Sequence, residues 1–541
     1  MKYCPNCSTQ LDDNATFCGS CGSSVAASSS AQPSVSEQTS SEQPAPEKKK
    51  FDLKKLLVPA IAAVVVILAI IIIANIGGSD VKLVDGAFYG VDDEVFYTKN
   101  GKKSVKLPDD QGIPVLSADG KMMYYTDEDG DYYAKKFSQL EKDAEGVKVS
   151  GSGVSSMHIT HNGKEALYLK ENKLYVFQYG KESSERIVKD VEEFYTDKDH
   201  DIIIYTTTEG DMYWYGAKKS VKIDSEIGEI RYINENYKEI YYTANTDEEK
   251  GTFDLCVAKK NKEGEKLLSD LSNVYVVYED GSLYYEDEDG KLFFWDGKKS
   301  TEICDEEYCF VADFSVEGTP VLVYEVGEET DDGLEYTYFV AYETKTNELG
   351  SDEDITDVTL SYDGKELLYI KDYETEESED EDDYWSEETV IGTAVKRSVG
   401  KKLGNEKELA QDVTNVGYRG GYKDDDEEKY VFVMYWETED GDLWFDGEKV
   451  GETESFSFDA KSGDLYWYDD DTLKVFNGKK SVTVANDVSD YELTANGDLI
   501  ILHDVDDDGE GTASWWNGKK LTRVADDAKG VSAVRQGYWV R

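Results

Sequence analysis

From residue 80 to the end, short apolar runs alternate with polar turns. One stretch shows the pattern clearly. Val488 to Thr494, Asp498 to His503, Thr512 to Trp516 and Lys519 to Ala525 are each rich in β-branched and aromatic residues. Between them lie Ala495-Asn496-Gly497, the acidic loop Asp504 to Gly511, and Asn517-Gly518, a favoured two-residue hairpin turn. The pattern predicts four antiparallel strands in about forty residues. Upstream the pattern changes. Leu56 to Ile76 is an uninterrupted uncharged apolar run, residues 25–55 have no apolar periodicity, and residues 1–24 are rich in cysteine.

The forty-residue pattern repeats. Gly101-Lys102-Lys103-Ser104 recurs as Gly297-Lys298-Lys299-Ser300, Gly478-Lys479-Lys480-Ser481 and Gly518-Lys519-Lys520-Leu521, with variants at Gly180, Gly216 and Gly447. Most spacings are near forty residues or a small multiple, the period of a four-stranded propeller blade. Gly463 to Tyr468 and Gly290 to Trp295 are expected to be the same kind of strand. A second phrase is Leu116-Ser117-Ala118-Asp119-Gly120-Lys121, with counterparts at Ile159 to Lys164 and Leu360 to Lys365. It resembles the Ser-Pro-Asp-Gly-Lys phrase of TolB-like propeller repeats, without the Pro. The resemblance implies an all-β propeller fold and little about ligand. About eleven or twelve units fit between residues 80 and 541, as one large propeller or two. The first unit, Val81 to Leu107, is a strand short, and the tail from Gly530 to Arg541 is expected to complete it. Hairpins such as Gly281 to Gly290 also resemble bacterial cell-wall-binding repeats, but the longer spacing and the missing Gly-Trp pair argue against a solenoid.

Leu56 to Ile76 is long enough to cross a hydrocarbon core of about 30 Å as a helix. A buried core helix rarely carries a run such as Val64-Val65-Val66-Ile67-Leu68. A cleaved signal would be shorter and nearer the start. Lys48, Lys49, Lys50, Lys54 and Lys55 lie just before the span, so the positive-inside rule puts the N-terminus in the cytoplasm and residues 80–541 outside. Residues 25–55, rich in Ser, Gln, Pro and Glu, read as a flexible linker with a basic juxtamembrane end.

Cys4-x2-Cys7 and Cys18-x2-Cys21 are two knuckles ten residues apart. Two thiolate pairs on facing turns give closed tetrahedral coordination, which suits structural Zn²⁺. So short a segment has little core, and the metal would supply most of its folding free energy. Two disulfides would need an oxidising compartment, and a thioredoxin-like pair would need a βαβ context. The segment MKYCPNCSTQLDDNATFCGSCG resembles the zinc ribbon that opens many bacterial proteins ahead of a linker and membrane anchor. Ser8 stands where that family usually has Gly. Zinc ribbons bind nucleic acid or protein. Lys2 against Asp12 and Asp13 does not support nucleic acid, which leaves a cytosolic protein partner open.

Charge sharpens the outer region. Residues 1–79 carry equal numbers of basic and acidic side chains, so the whole net charge of -57 falls on residues 80–541. Such a surface will not grip a phosphate backbone. With 39 Tyr and 9 Trp it is not an acidic disordered chain either. Asp504-x-Asp506-x-Asp508-Gly509 matches the start of a calcium loop. Trp515 holds the twelfth position, where an EF-hand needs Glu, so a solvated hairpin loop fits as well. Asp424 to Asp426 and Glu379 to Asp383 read as surface loops. His158-x2-His161 could be read as a metal pair, but in a strand-and-turn context it is expected to face solvent. Cys304 and Cys309 could pair locally, leaving Cys256 free. No nucleophile set and no Gly-x-Ser-x-Gly elbow is present, so an enzyme is not expected.

The sequence therefore predicts a bitopic bacterial membrane protein with a zinc ribbon (1–24), a linker (25–55), a transmembrane helix (56–76) and an extracellular propeller region (80–541). Its function is expected to be binding, recognition or scaffolding of a protein, peptide or glycan of the cell surface. Two alternatives stay open: a sensor relaying ectodomain occupancy to the ribbon, and a cryptic envelope hydrolase or lyase.

Overall fold

The computed structural model describes residues 2–3, 10–11 and 83–540, apart from 93, 110, 143–145, 182, 235, 331–332, 378–387, 423–429, 453–455 and 461. The expected linker and the apolar run 56–76 lie outside the described residues. Among those described, no helix is long and apolar enough to cross a membrane. The structure is all-β, with one 3-10 turn at Phe137–Gln139 among the described residues. At the N-terminus, Lys2–Tyr3 pairs antiparallel with Gln10–Leu11.

The remaining strands form eight sheets. Five hold four consecutive strands, two of them extended by a strand from the C-terminal tail. The other three have seven strands, and each divides into two four-stranded units that share one long strand. Those shared strands are Glu265–Val277, Lys407–Tyr422 and Leu521–Ala533. The result is eleven units in chain order, within the range expected from the repeat spacing.

Each unit follows the predicted turn chemistry. In the last one the strands are Val488–Leu493, Leu499–His503, Gly511–Trp516 and Leu521–Ala533, close to the pattern read from the sequence. The Gly-Lys-Lys phrases sit at the turn before the fourth strand. There Asp296 Oδ1 accepts the amides of Lys298 and Lys299 at 2.9 and 2.7 Å, and Asn517 Oδ1 accepts that of Lys520 at 3.0 Å. Gly297 and Gly518 supply the positive φ, at 86° and 78°.

One expectation needs correction. Asp464–Asp469 is the second strand of its unit, whereas Leu292–Trp295 is a third strand. Second strands are buried on both faces, as Ile203 to Thr206 and Leu499 to Leu502 show, because neighbouring sheets cover them on each side. Leu292–Trp295 instead alternates between buried and half-buried positions.

The first unit has three strands of its own, Ala87–Val91, Glu94–Thr98 and Ser104–Lys106. Its fourth is the second half of Leu521–Ala533, in register Ala87↔Ala533, Phe88↔Ser532 and Tyr89↔Val531. The chain then continues. Arg535–Gly537 pairs parallel with Val115–Ser117 of the second unit, and Trp539–Val540 pairs antiparallel with Val154–Ile159 of the third.

Successive units meet through apolar clusters pinned by tyrosine hydroxyls. Tyr124 Oη donates to the Gly163 carbonyl at 2.7 Å, Tyr237 Oη to that of Thr196 at 2.6 Å, and Tyr373 Oη to that of Asp352 at 2.5 Å. Tyr284 Oη lies 3.2, 3.3 and 3.1 Å from the carbonyls of Pro320, Ala341 and Glu343. Every one of these bonds crosses from one unit to its neighbour. The Asp-Gly-Lys phrase serves the same joint. A Cβ on Gly163 would lie 2.6 Å from Ser117 Cβ and Met122 Cβ of the preceding unit, so only glycine allows that approach.

Candidate functional site

The four zinc-ribbon cysteines, Cys4, Cys7, Cys18 and Cys21, lie outside the described residues. The described residues nearest to them, Lys2–Tyr3 and Gln10–Leu11, pair antiparallel. Four thiolates as two close pairs are a donor set matched to tetrahedral Zn²⁺. The metal would act structurally there, because no ligand position is left open.

The acidic loop after His503 is used differently from a calcium loop. Asp506 Oδ1 accepts the amides of Asp508 and Glu510, both at 3.0 Å, and the Asp506 amide donates to the Glu510 carbonyl at 2.9 Å. Asp504 is turned towards His503, with Oδ2 2.8 Å from Nδ1. Asp504, Asp506 and Asp508 therefore do not converge on a cation. Among the described residues, no group of three or more His, Cys, Asp or Glu is placed to hold a metal ion. Calcium is unsupported, because Asp506 caps its own turn and Asp504 is directed at His503. The acidic runs at 379–383 and 424–426 lie outside the described residues.

The histidines depart from expectation. His158 does not face solvent; it is 5% exposed. Its Nδ1 lies 2.9 Å from Nε2 of His200, whose Nδ1 lies 3.3 Å from Glu165 Oε1. Gln178 Nε2 donates to the other oxygen of Glu165 at 2.8 Å. With both rings neutral, His158 Nδ1–H donates to His200 Nε2 and His200 Nδ1–H donates to Glu165, one continuous chain of hydrogen bonds. The tail closes over it. The Tyr538 ring stacks on His158 at 5.7 Å, and Trp539 meets it edge-on at 4.9 Å. His161 Nδ1 lies 3.2 Å from Tyr538 Oη.

The electrostatics follow from burial. Desolvation, with His200 alongside, pushes His158 well below the ordinary imidazole range. The hydrogen bond from His200 holds Glu165 below the usual carboxylate range against its own burial. This row can hold the tail and can register protonation. It presents no activated nucleophile, and the His200 side chain is only 1% exposed. Sequence reasoning missed the pairing of His158 with His200. The available signal was their separation of 42 residues, about one repeat.

Aromatic side chains expected to enrich a recognition surface are largely consumed by the core. Tyr124, Tyr242, Tyr284, Tyr369, Tyr466 and Trp467 are all fully buried.

Comparison with known proteins adds one assignment. Residues 3–25 match the family model of the zinc-ribbon domain. The chain carries a zinc ribbon at its N-terminus. No curated protein matches the chain. Among solved structures, tricorn protease is similar at 15% identity and a TM-score of 0.31, over 83% of this chain and 47% of that one. A eukaryotic initiation factor is similar at 8% identity and a TM-score of 0.36, over 83% and 98%. PorZ, a surface component of the type-IX secretion system of Porphyromonas gingivalis, is similar at 12% identity and a TM-score of 0.20, over 80% and 65%. This chain thus spans about half the length of the tricorn protease chain. Scores this low carry nothing about ligand or chemistry.

Proposed function

We propose that this chain is a single-pass membrane protein of the bacterial cell surface. An acidic outer β-propeller would serve as a binding module, tethered through the apolar run 56–76 to a cytosolic, structural zinc ribbon. The observation that carries the reading is the strand Leu521–Ala533, which begins in the eleventh unit and ends as the missing strand of the first. A strand shared between last and first units would let a ring of blades close, which supports the propeller reading. A rigid ring presenting loops suits recognition of a protein, peptide or glycan better than chemistry. The lysines before residue 56 and the uncharged span support the orientation.

Crosslinking of the full-length chain in intact cells tests this, with partners of the two sides identified separately. The reading expects envelope proteins or glycans joined to residues 80–541. Crosslinks from that region to cytosolic proteins alone would refute it. Protease added to intact spheroplasts should remove epitopes beyond residue 80 and spare one at the N-terminus.

A further inference from the structure

Two cysteines face each other across the joint between the sixth and seventh units. Cys304 ends the strand Ser300–Cys304, and Cys309 opens the strand Cys309–Phe314. Both are free thiols, buried to 7% and 8% exposure. They pack in one apolar cluster with Leu292, Phe294, Leu322 and Tyr324, side chains drawn from both units. The pair nonetheless lies just under the surface, because Asp305, Glu306, Glu307 and Phe310 around it are exposed. The two thiols are within hydrogen-bonding reach of each other, so ionising one opposes ionising the other. Cys256 differs. It lies in another cluster in the fifth unit, and burial pushes its thiol up to about 11.

We propose that Cys304 and Cys309 are a reversible oxidation site, forming a disulfide that clips the sixth unit to the seventh. The co-reactant is a small-molecule disulfide. The Cys304 thiolate attacks one of its sulfurs, forming a mixed disulfide and releasing one thiolate. Cys309 then attacks the Cys304 sulfur and expels the second. The two protein thiols lose two electrons and two protons, and the co-reactant becomes two thiols. The two thiols are about equally buried, so the first attack can also come from Cys309, with Cys304 resolving. The ring closed is short, so the bond constrains the joint and little else in the unfolded chain.

The test uses the full-length chain, reduced and then exposed to oxidised glutathione. Trypsin releases Ser300 to Lys345 as one peptide containing Cys304, Cys309 and no other cysteine. The proposal expects this peptide to become lighter by two hydrogen atoms, to carry no glutathione, and to revert with reductant. Cys309→Ser and Cys304→Ser should each trap glutathione on the cysteine that remains, because neither variant has a resolving thiol. Both thiols remaining open to alkylation after oxidation would overturn the proposal, as would a link from either cysteine to another peptide. The wild-type mass change decides even if a variant folds poorly.

Discussion

Acidification should weaken the tail's hold on the third unit through His158. In the folded chain this ring is buried against His200, Tyr538 and Trp539, and burial opposes its charged form. Unfolded, it titrates near the ordinary value of about 6.5. A group with a lowered folded pKa contributes stability that is present above the unfolded value and lost as pH falls below it. One proton bound only by the unfolded chain costs about 1.4 kcal/mol per pH unit. At about pH 5.5 the loss from His158 is therefore on the order of 1 kcal/mol. Other groups move the opposite way. Burial pushes Asp313 up to about 6 and raises Glu193, Glu286 and Glu437, so these carboxyls favour the folded state as pH falls, and the excess negative charge also shrinks. The total profile mixes these signs. The informative quantity is the stability difference between the wild type and His158→Gln, a variant that keeps a donor and does not titrate. Denaturant melts between about pH 7.5 and 5.5 should show that difference shrinking by on the order of 1 kcal/mol. Hydrogen-exchange protection at Trp539 and Val540, taken relative to the slower intrinsic exchange at lower pH, should fall in the wild type alone. Parallel stability profiles with equal exchange would refute the assignment.

Four further outcomes follow from the joints and loops. Deleting residues 530–541 removes the buried side chains of Val531, Val534 and Val540, each worth about 1.5–3 kcal/mol, and uncovers Phe88 and Tyr89; the freed chain's entropy recovers part of this, the melting temperature falls, and an unchanged melt counts against the shared strand. Tyr284→Phe leaves the carbonyls of Pro320, Ala341 and Glu343 without their shared donor and should cost about 1–3 kcal/mol in chemical denaturation. Gly163→Ala should cost more than Gly290→Ala, because both have positive φ, worth about 1–2 kcal/mol, but only the first brings Cβ against a neighbouring unit. Calcium chelation should leave the melt of residues 80–541 unchanged, and a fall in melting temperature would restore the acidic loop as a cation site.

Local chemistry was legible in the sequence, and distant partnership was not. Asn517-Gly518 and the Gly-Lys-Lys phrases announce their turns because glycine's positive φ and the side-chain caps are set within four residues. The order of strands within a unit was harder. Leu465 to Tyr468 and Leu292 to Trp295 are equally apolar, and only the neighbouring sheets determine which is buried on both faces. The long shared strands were hidden for a related reason. Glu265–Val277 passes between two units with no glycine or proline to mark the change of partner. The environment of His158 depends on a ring one repeat ahead and on a tail almost four hundred residues away, with Trp539 as its cross-strand partner. No window along the chain contains those contacts.

The joints also explain why the composition is so unusual. Two apolar sheet faces would pack at many relative angles, because the hydrophobic effect is non-directional. Hydroxyls aimed at fixed carbonyls select one. Tyr124, Tyr237, Tyr284 and Tyr373 do this, and so does Asp313, whose buried carboxylate accepts the Leu360 amide of the next unit at 2.7 Å. Much of the acidity likewise caps turns: Asp287 accepts the amides of Asp289 and Lys291, as Asp296 and Asp506 do in theirs. Tyrosine and aspartate, the two features that most invite a ligand-binding interpretation, are thus already committed to architecture wherever these contacts occur. A recognition surface has to be built from what is left over, and among the described residues the large apolar side chains left exposed are Ile113, Phe310 and Leu334. Phe310 follows Cys309 directly, so any partner that covers it would also seal the thiol pair from oxidant.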